Sequence, residues 1–418
     1  MVTTGTRCRM VRVSAPSAVA PARGYGPLLR TPGAKAFSAA ALLGRMPIAM
    51  LGIGTVLLVE DRRGSYALAG LVSAAYAVGL AALGPLGSRL VDRRGQRAVL
   101  LPALAVSATA VVAVVLLAGS GAPAWTLLPA AALTSLAPSQ LGSCVRGRWS
   151  AVLTAAGRAP EVQRAYAWEA VVDEVVFVLG PLLVVLGAIV DPAVGLGLAL
   201  VLSTTGTLWL VSQRASEPPV LTVAADRRGR SALQERGMLL LVSSLVCVGT
   251  LFGTVEVSMI AFAEERGSTS GAGVLLALVA LGSALAGLAY GALHWTSPLP
   301  RRYALSLAGL ALGLVPLLLA PSVPLMAPAA LLAGIAISPT LIAAFAFVDE
   351  LVPPSSRTEG FSWLNSGLAT GVALGFAGSG AVADAAGARE AFLLALGAAA
   401  LGTLVVVLGR ARLSPRPG

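Results

Sequence analysis

Residues Ser88–Arg97 read SRLVDRRGQR. Two apolar runs bracket them, LAGLVSAAYAVGLAALGPLG before and AVLLPALAVSATAVVAVVLL after. Each run has the length of about 20 residues that an α-helix needs to cross the hydrocarbon of a bilayer. The ten residues between them, seven of them polar, form a short basic connection. The rest of the chain is of the same kind. Of its 418 residues, 56% are hydrophobic and only 12% charged, and the mean hydropathy is +0.84. Soluble domains carry about 25% charged residues. This chain cannot cover itself with polar surface, so it is expected to lie in lipid as a multi-pass protein.

Twelve such runs are expected, near 37–59, 66–88, 98–118, 123–145, 166–188, 192–212, 238–262, 271–293, 303–320, 324–348, 362–383 and 390–410. Neither strand alternation nor barrel-length segments occur, so the fold class is all-α integral membrane. The basic residues set an orientation. With the N-terminus inside, twenty-five of the 30 Lys+Arg fall in inside segments. Four (Arg62, Arg63, Arg266 and Arg389) fall outside, and Arg45 lies within the first span. This alternation accounts for the net charge of +11 as a topology signal and gives no reason to expect nucleic acid. Residues 1–35 are rich in Pro, Gly and Arg and are expected to be a disordered cytoplasmic tail. Their first apolar run comes too late for a cleavable leader. Residues 213–237 are expected to link two six-helix bundles, 36–212 and 238–410, with a second tail at 411–418.

The halves look related. Sliding the second onto the first by about 203 positions brings Gly70, Gly79, Gly84 and Ser88 onto Gly273, Gly282, Gly287 and Gly291. Related halves of this kind meet at a midplane site and rock about it.

The loop then carries a resemblance. Leu90, Asp92, Arg93, Gly95 and Arg97 match the loop signature of the major facilitator superfamily, G-x-L-x-D-R-x-G-R-R. Ser88 and Gln96 depart from it. The whole layout resembles that family: twelve helices in two pseudo-symmetric six-helix bundles, both termini inside. The resemblance implies that Asp92, with Arg93, Gly95 and Arg97, forms an inside gate against the start of the eleventh helix. A carboxylate there would face the positive end of a helix dipole. Gly180 and Pro181 resemble the Gly-Pro pair of the family's fifth helix, typical of antiporting members, and imply close packing or a kink. No counterpart of the family's fourth-helix arginine is evident. Arg146 and Arg148 read as lying at the inside end of their span. The second copy of the loop has Trp295 where the first has Asp92.

The intramembrane charges are the remaining candidates. A charge near mid-bilayer costs about 2.5–3.5 kcal/mol on insertion scales, so such residues are functional by default. Arg45 and Asp173 lie at equal depth and are expected to pair. Glu169 shares the face of Asp173 at i, i+4, whereas Glu174 is turned away from it. Three acids near one arginine leave a surplus. The stretch is open to three roles: a structural lock, proton coupling or substrate contact. Glu256 in the seventh span has no evident partner. It is either a proton or cation site or a solvated pore residue.

Other chemistries lack their parts. The single His294 excludes a His-based metal site or a Ser/His/Asp set. Cys8, Cys144 and Cys247 make no CxxC, and no P-loop lysine exists. No catalytic residue, metal or cofactor is expected. The reading is a monomeric secondary transporter in the cell membrane, exporting a small organic molecule against protons by alternating access. A flippase-like or non-transporting sensor on the same fold is the alternative.

Overall fold

The computed structural model describes residues 24–220, 230–267, 269–293 and 295–413. The N-terminal residues expected to be disordered lie outside the described residues up to 23. From 24 onward the expected disorder does not hold. Helix α1 (Gly26–Leu29) and the start of α2 (Ala34–Arg45) are packed, with Leu28, Ala34 and Phe37 fully buried. His294, the linker's 221–229 and most of the 411–418 tail are also outside.

The first half comprises α2 with α3 (Pro47–Arg63), α4 (Tyr66–Arg94), α5 (Gln96–Gly119), α6 (Leu127–Thr134) with α7 (Pro138–Ala155), α8 (Val162–Ala188) and α9 (Pro192–Ser212). The second comprises α10 (Met238–Glu264), α11 (Thr269–Ala292), α12 (Leu299–Leu319), α13 (Val323–Gly334) with α14 (Ile337–Leu351), α15 (Arg357–Ala386) and α16 (Ala388–Leu413). Eleven crossings among the described residues are long and apolar enough to span a membrane unaided. The twelfth is the α6–α7 pair. Its gate-side half is shortened in apolar content by Arg146 and Arg148. The α6–α7 break at 135–137 and the α13–α14 break at 335–336 fall at nearly corresponding positions of the repeat.

Small residues set the packing. A Cβ on Gly249 would meet the Leu368 carbonyl, and one on Gly253 the Val372 carbonyl. Gly371 and Gly375 in turn lie against the backbone of Val246 and Thr250. α10 and α15 therefore touch backbone to backbone along a four-residue period, as helices do where lipid leaves only packing to hold them. Gly249→Leu is expected to force these helices apart and cut the monodisperse fraction on size exclusion severalfold, because overpacking costs about 1–3 kcal/mol.

The halves meet at one end, the end carrying the α4–α5 loop. Among the described residues, the hydrogen bonds between the halves lie from that end to about mid-depth. They include those between Asp92 and α15, between Asp349 and both Tyr166 and Ser150, between α11 and both Tyr25 and Arg164, and between Glu174 and Ser283. At the other end each half is tied to itself. Asp191 caps α9 through the Ala193 N–H at 2.8 Å and holds Arg62 at 2.5 Å. That N–H and that guanidinium keep its carboxyl below the usual range.

Candidate functional site

Asp92 ends α4 and points at the first turn of α15. Its carboxylate accepts the Thr358 N–H at 3.2 Å and the Glu359 N–H at 2.8 Å. These N–H groups have no intrahelical partner, so a carboxylate both satisfies them and meets the helix dipole. Asp92 is therefore set against the start of α15. Glu359 stands in that same first turn of α15. Its carboxylate meets Arg89 at 3.8 Å, the Ser231 hydroxyl and the Trp363 indole at 3.3 Å. Arg89 is one helical turn closer to the membrane than Arg93, on the face turned to α15, whereas Arg93 and Arg97 are exposed. Gly95 sits at φ 88°, which a side chain would strain, and Glu217 of the linker accepts the Arg97 N–H at 3.0 Å.

The departure at Gln96 has a structural reason. Gln96 is buried, donates to the Cys144 carbonyl at 3.0 Å and accepts from Arg148 at 2.7 Å. An arginine there would place two cations together. Arg148 also holds the Gln213 carbonyl and the Ser216 hydroxyl. Asp92→Asn keeps the shape but removes the charge and one acceptor. Hydrogen bonds to charged groups are worth about 1.5–3 kcal/mol. Transport by folded Asp92→Asn protein is expected to fall about tenfold, measured as initial flux normalised to membrane-inserted protein.

Sequence reading missed a second lock at the same end. Asp349 stands near the end of α14, where a solvated carboxylate is the ordinary reading. It is instead enclosed between the halves. It accepts from the Tyr166 hydroxyl, from Ser150 at 2.8 Å, and faces Arg357 at 3.2 Å.

Deeper lies a cluster of four charges. Arg45 contacts Glu169 at 2.5 Å and Asp173 at 2.7 Å. Arg146 contacts the second oxygen of Asp173 at 2.5 Å. Glu169 also accepts from Ser38 and from the Trp149 indole, both at 2.8 Å. Its side chain is 0% exposed, against 31% for Asp173. Arg146 stacks over the ring of Phe345, from the second half, at 3.9 Å. Glu169 and Asp173 share one face of α8 because they are one turn apart. The expectation that Arg146 ends its span is corrected: α7 runs on to Ala155, so Arg146 lies about 14 Å inside that helix end. The expectation that Glu169 is a surplus acid is corrected with it, since two arginines balance two carboxylates.

Glu174 is turned away from this cluster. It accepts from the Ser283 hydroxyl of α11 at 2.6 Å, and Ser283 lies 2.9 Å from the Ser338 hydroxyl in the first turn of α14. Both serines are fully buried. A carboxylate of one half is thus joined, through two hydroxyls, to the start of a half-helix of the other. Glu256 is exposed on α10, and no described residue forms an ion pair or hydrogen bond with it. Gly180 packs against α3, where a Cβ would stand 2.7 Å from Ala49. Pro181 lies within the unbroken α8. Among the described residues no group of three His, Cys, Asp or Glu could hold a metal.

Two helical lobes thus meet at one end over a cluster of buried charges. Residues 241–418 match the model of the Major Facilitator Superfamily. No curated relative matches by sequence. The chain is similar in structure to the human organic anion transporter MFSD10 (TETRAN), with TM-score 0.69 and 18% identity over 90% of this chain and 100% of that one. It is also similar to a bacterial homologue of the iron transporter ferroportin in an outward-facing state, with TM-score 0.71, 18% identity, and 90% and 99% coverage. A third likeness is to the Major Facilitator Superfamily transporter FucP in the outward conformation, with TM-score 0.68, 13% identity, and 89% and 98% coverage. The second half carries the superfamily's sequence pattern, and the chain as a whole has the superfamily's fold.

Proposed function

We propose that the protein is a proton-coupled exporter of small organic molecules, working as a monomer by alternating access in the cell membrane. The basic residues favour placing both termini and the closed end in the cytoplasm, and the conformation is then outward-open. The observation that carries the reading is Glu174. Arg45 and Arg146 neutralise Glu169 and Asp173, and among the described residues no arginine pairs with Glu174. Its partner is a hydroxyl across the seam between halves. Ionised, Glu174 accepts that hydroxyl and faces the positive end of α14, which holds the seam shut. Protonated, it loses the charge that makes the bond strong. The seam then parts more easily. A proton taken from the open side would thereby favour the inward-open state, where it is released and the solute is collected.

Glu256, unpaired and exposed, favours cationic or neutral solutes over anions. In liposomes loaded with a pH dye, adding a transported solute is expected to move protons in the opposite direction. A panel of organic cations and neutral amphiphiles that moves neither protons nor label would leave a non-transporting sensor as the reading.

A further inference from the structure

The second repeat lacks an acid at the place of Asp92, yet its end of the gate is also closed. We propose that a second gate strut of inverted polarity holds it, formed by Arg164 of α8 and Tyr25 of the N-terminal segment on the carbonyls that end α11. In the first repeat a carboxylate meets the N–H groups that open α15. In the second, donors meet the C=O groups that close α11. Arg164 donates through Nε to the Gly291 carbonyl at 3.1 Å. The Tyr25 hydroxyl donates to the Leu288 carbonyl at 2.9 Å, with the Gly287 carbonyl at 3.4 Å. The Gly291 carbonyl is one of the last four of α11, which lack an intrahelical partner, the Leu288 carbonyl offers its second lone pair, and the helix end carries partial negative charge, so a cation and a hydroxyl are complementary partners there.

Three further observations fit this role. Arg164 stands in the first turn of its own helix, where a cation opposes the local dipole; Glu161 offsets this at 3.5 Å. A residue that conflicts with its own helix is placed for something beyond it. Gly291 is the residue that lets the elements close, since a Cβ there would collide with both Ala167 and the Tyr25 hydroxyl. Tyr25 itself is anchored on the first half. Its ring packs on Trp168 at 6.2 Å. The following turn is held by Arg158, which donates to Thr31 at 2.9 Å and to the Pro27 carbonyl at 3.3 Å. Burial raises the Tyr25 hydroxyl to about 12, against the opposing pull of Arg164, so it stays a donor at neutral pH. Trp295, at the place of Asp92, meanwhile donates to the Tyr290 carbonyl of the same helix end at 2.9 Å. Opening this end of the transporter must break the Tyr25 and Arg164 contacts, because they join different halves. Since this strut presumes alternating access, its test is conformational and needs no solute.

Spin labels at Arg94→Cys and Arg301→Cys, both exposed at the gate end and on opposite halves, report its opening by pulsed dipolar distance measurement. The full chain is used in lipid nanodiscs, with its own cysteines replaced. Tyr25→Phe keeps the ring on Trp168 and loses only the hydroxyl. It is expected to raise the ratio of long to short distances about fivefold, the change in population that one net hydrogen bond carries. Arg164→Ala is expected to do the same or more, and Arg164→Lys to stay within about twofold of the parent, because it keeps the cation. If Asp92→Asn opens the gate while Tyr25→Phe and Arg164→Ala match the parent, the second strut is wrong and alternating access stands. If none of these variants changes the distances, both are wrong.

Discussion

Asp173→Ala is expected to remove most of the folded protein, and Arg146→Met added to it is expected to restore much of what is lost. Asp173 bridges two buried arginines at 2.7 and 2.5 Å. Without it, Arg146 keeps only the Gly142 carbonyl and the Phe345 ring against its charge. Breaking a buried pair by removing one partner costs about 3–5 kcal/mol. Asp173 is partly open to water, so the loss should fall near the lower end, still more than a hundredfold in the folding equilibrium. The rescue is selective. Removing Arg146 and Asp173 together leaves Arg45 and Glu169 as a neutral pair at 2.5 Å, supported by Trp149 and Ser38. Removing Arg45 and Asp173 leaves Arg146 and Glu169 as separated charges. Arg146→Met should therefore rescue, and Arg45→Met should not. Monodisperse yield on fluorescence-detected size exclusion measures both, and equal rescue by the two would mean that Asp173 does not bridge them.

That selectivity was not legible in the sequence, although half of the cluster was. Equal depth on two helices of one bundle brought Arg45 and Asp173 together, because rise per residue is fixed and charges in lipid need partners. Arg146 escaped because hydropathy ends a span where arginines begin. The helix continues past them inside a protein lobe, where lipid no longer sets the limit. The break at 135–137 further hid the crossing, since neither piece is long and apolar by itself. Asp92 could be placed from its loop, whereas Asp349 could not, because its partners Tyr166 and Ser150 come from the other half. Ser283, Ser338 and the Tyr25 contact share that reason: pairing between halves depends on how two bundles dock, and no periodicity within one helix encodes it. The repeat was legible as glycine spacing, and two of its pairs recur at close helix contacts, whereas Gly70 and Gly273 face open space. Gly79 lies against Ala132, as Gly282 does against Leu331.

Glu174→Gln is the second large effect. The amide keeps an acceptor for the Ser283 hydroxyl, so the fold should survive, but the position no longer ionises and the seam parts as readily as with a protonated Glu174. The variant is expected to resemble permanently protonated Glu174. Solute exchange down its own gradient should continue, while uphill movement driven by a pH gradient should fall to background. A variant at Glu256 separates the two acids. Glu256→Gln is expected to weaken apparent affinity for cationic solutes and to leave the coupling to protons in place.

The measurement that bears most directly on Glu174 as the coupling residue is proton movement on solute addition, read by a trapped pH dye in liposomes. The parent and Glu174→Gln proteins are compared at equal reconstituted amounts. The expected result is a solute-dependent pH change in the parent that is absent in Glu174→Gln, with labelled-solute exchange within about twofold in both, since neither the fold nor the gate has lost a charge pair. A pH change of parental size in Glu174→Gln would contradict the account and place the proton elsewhere.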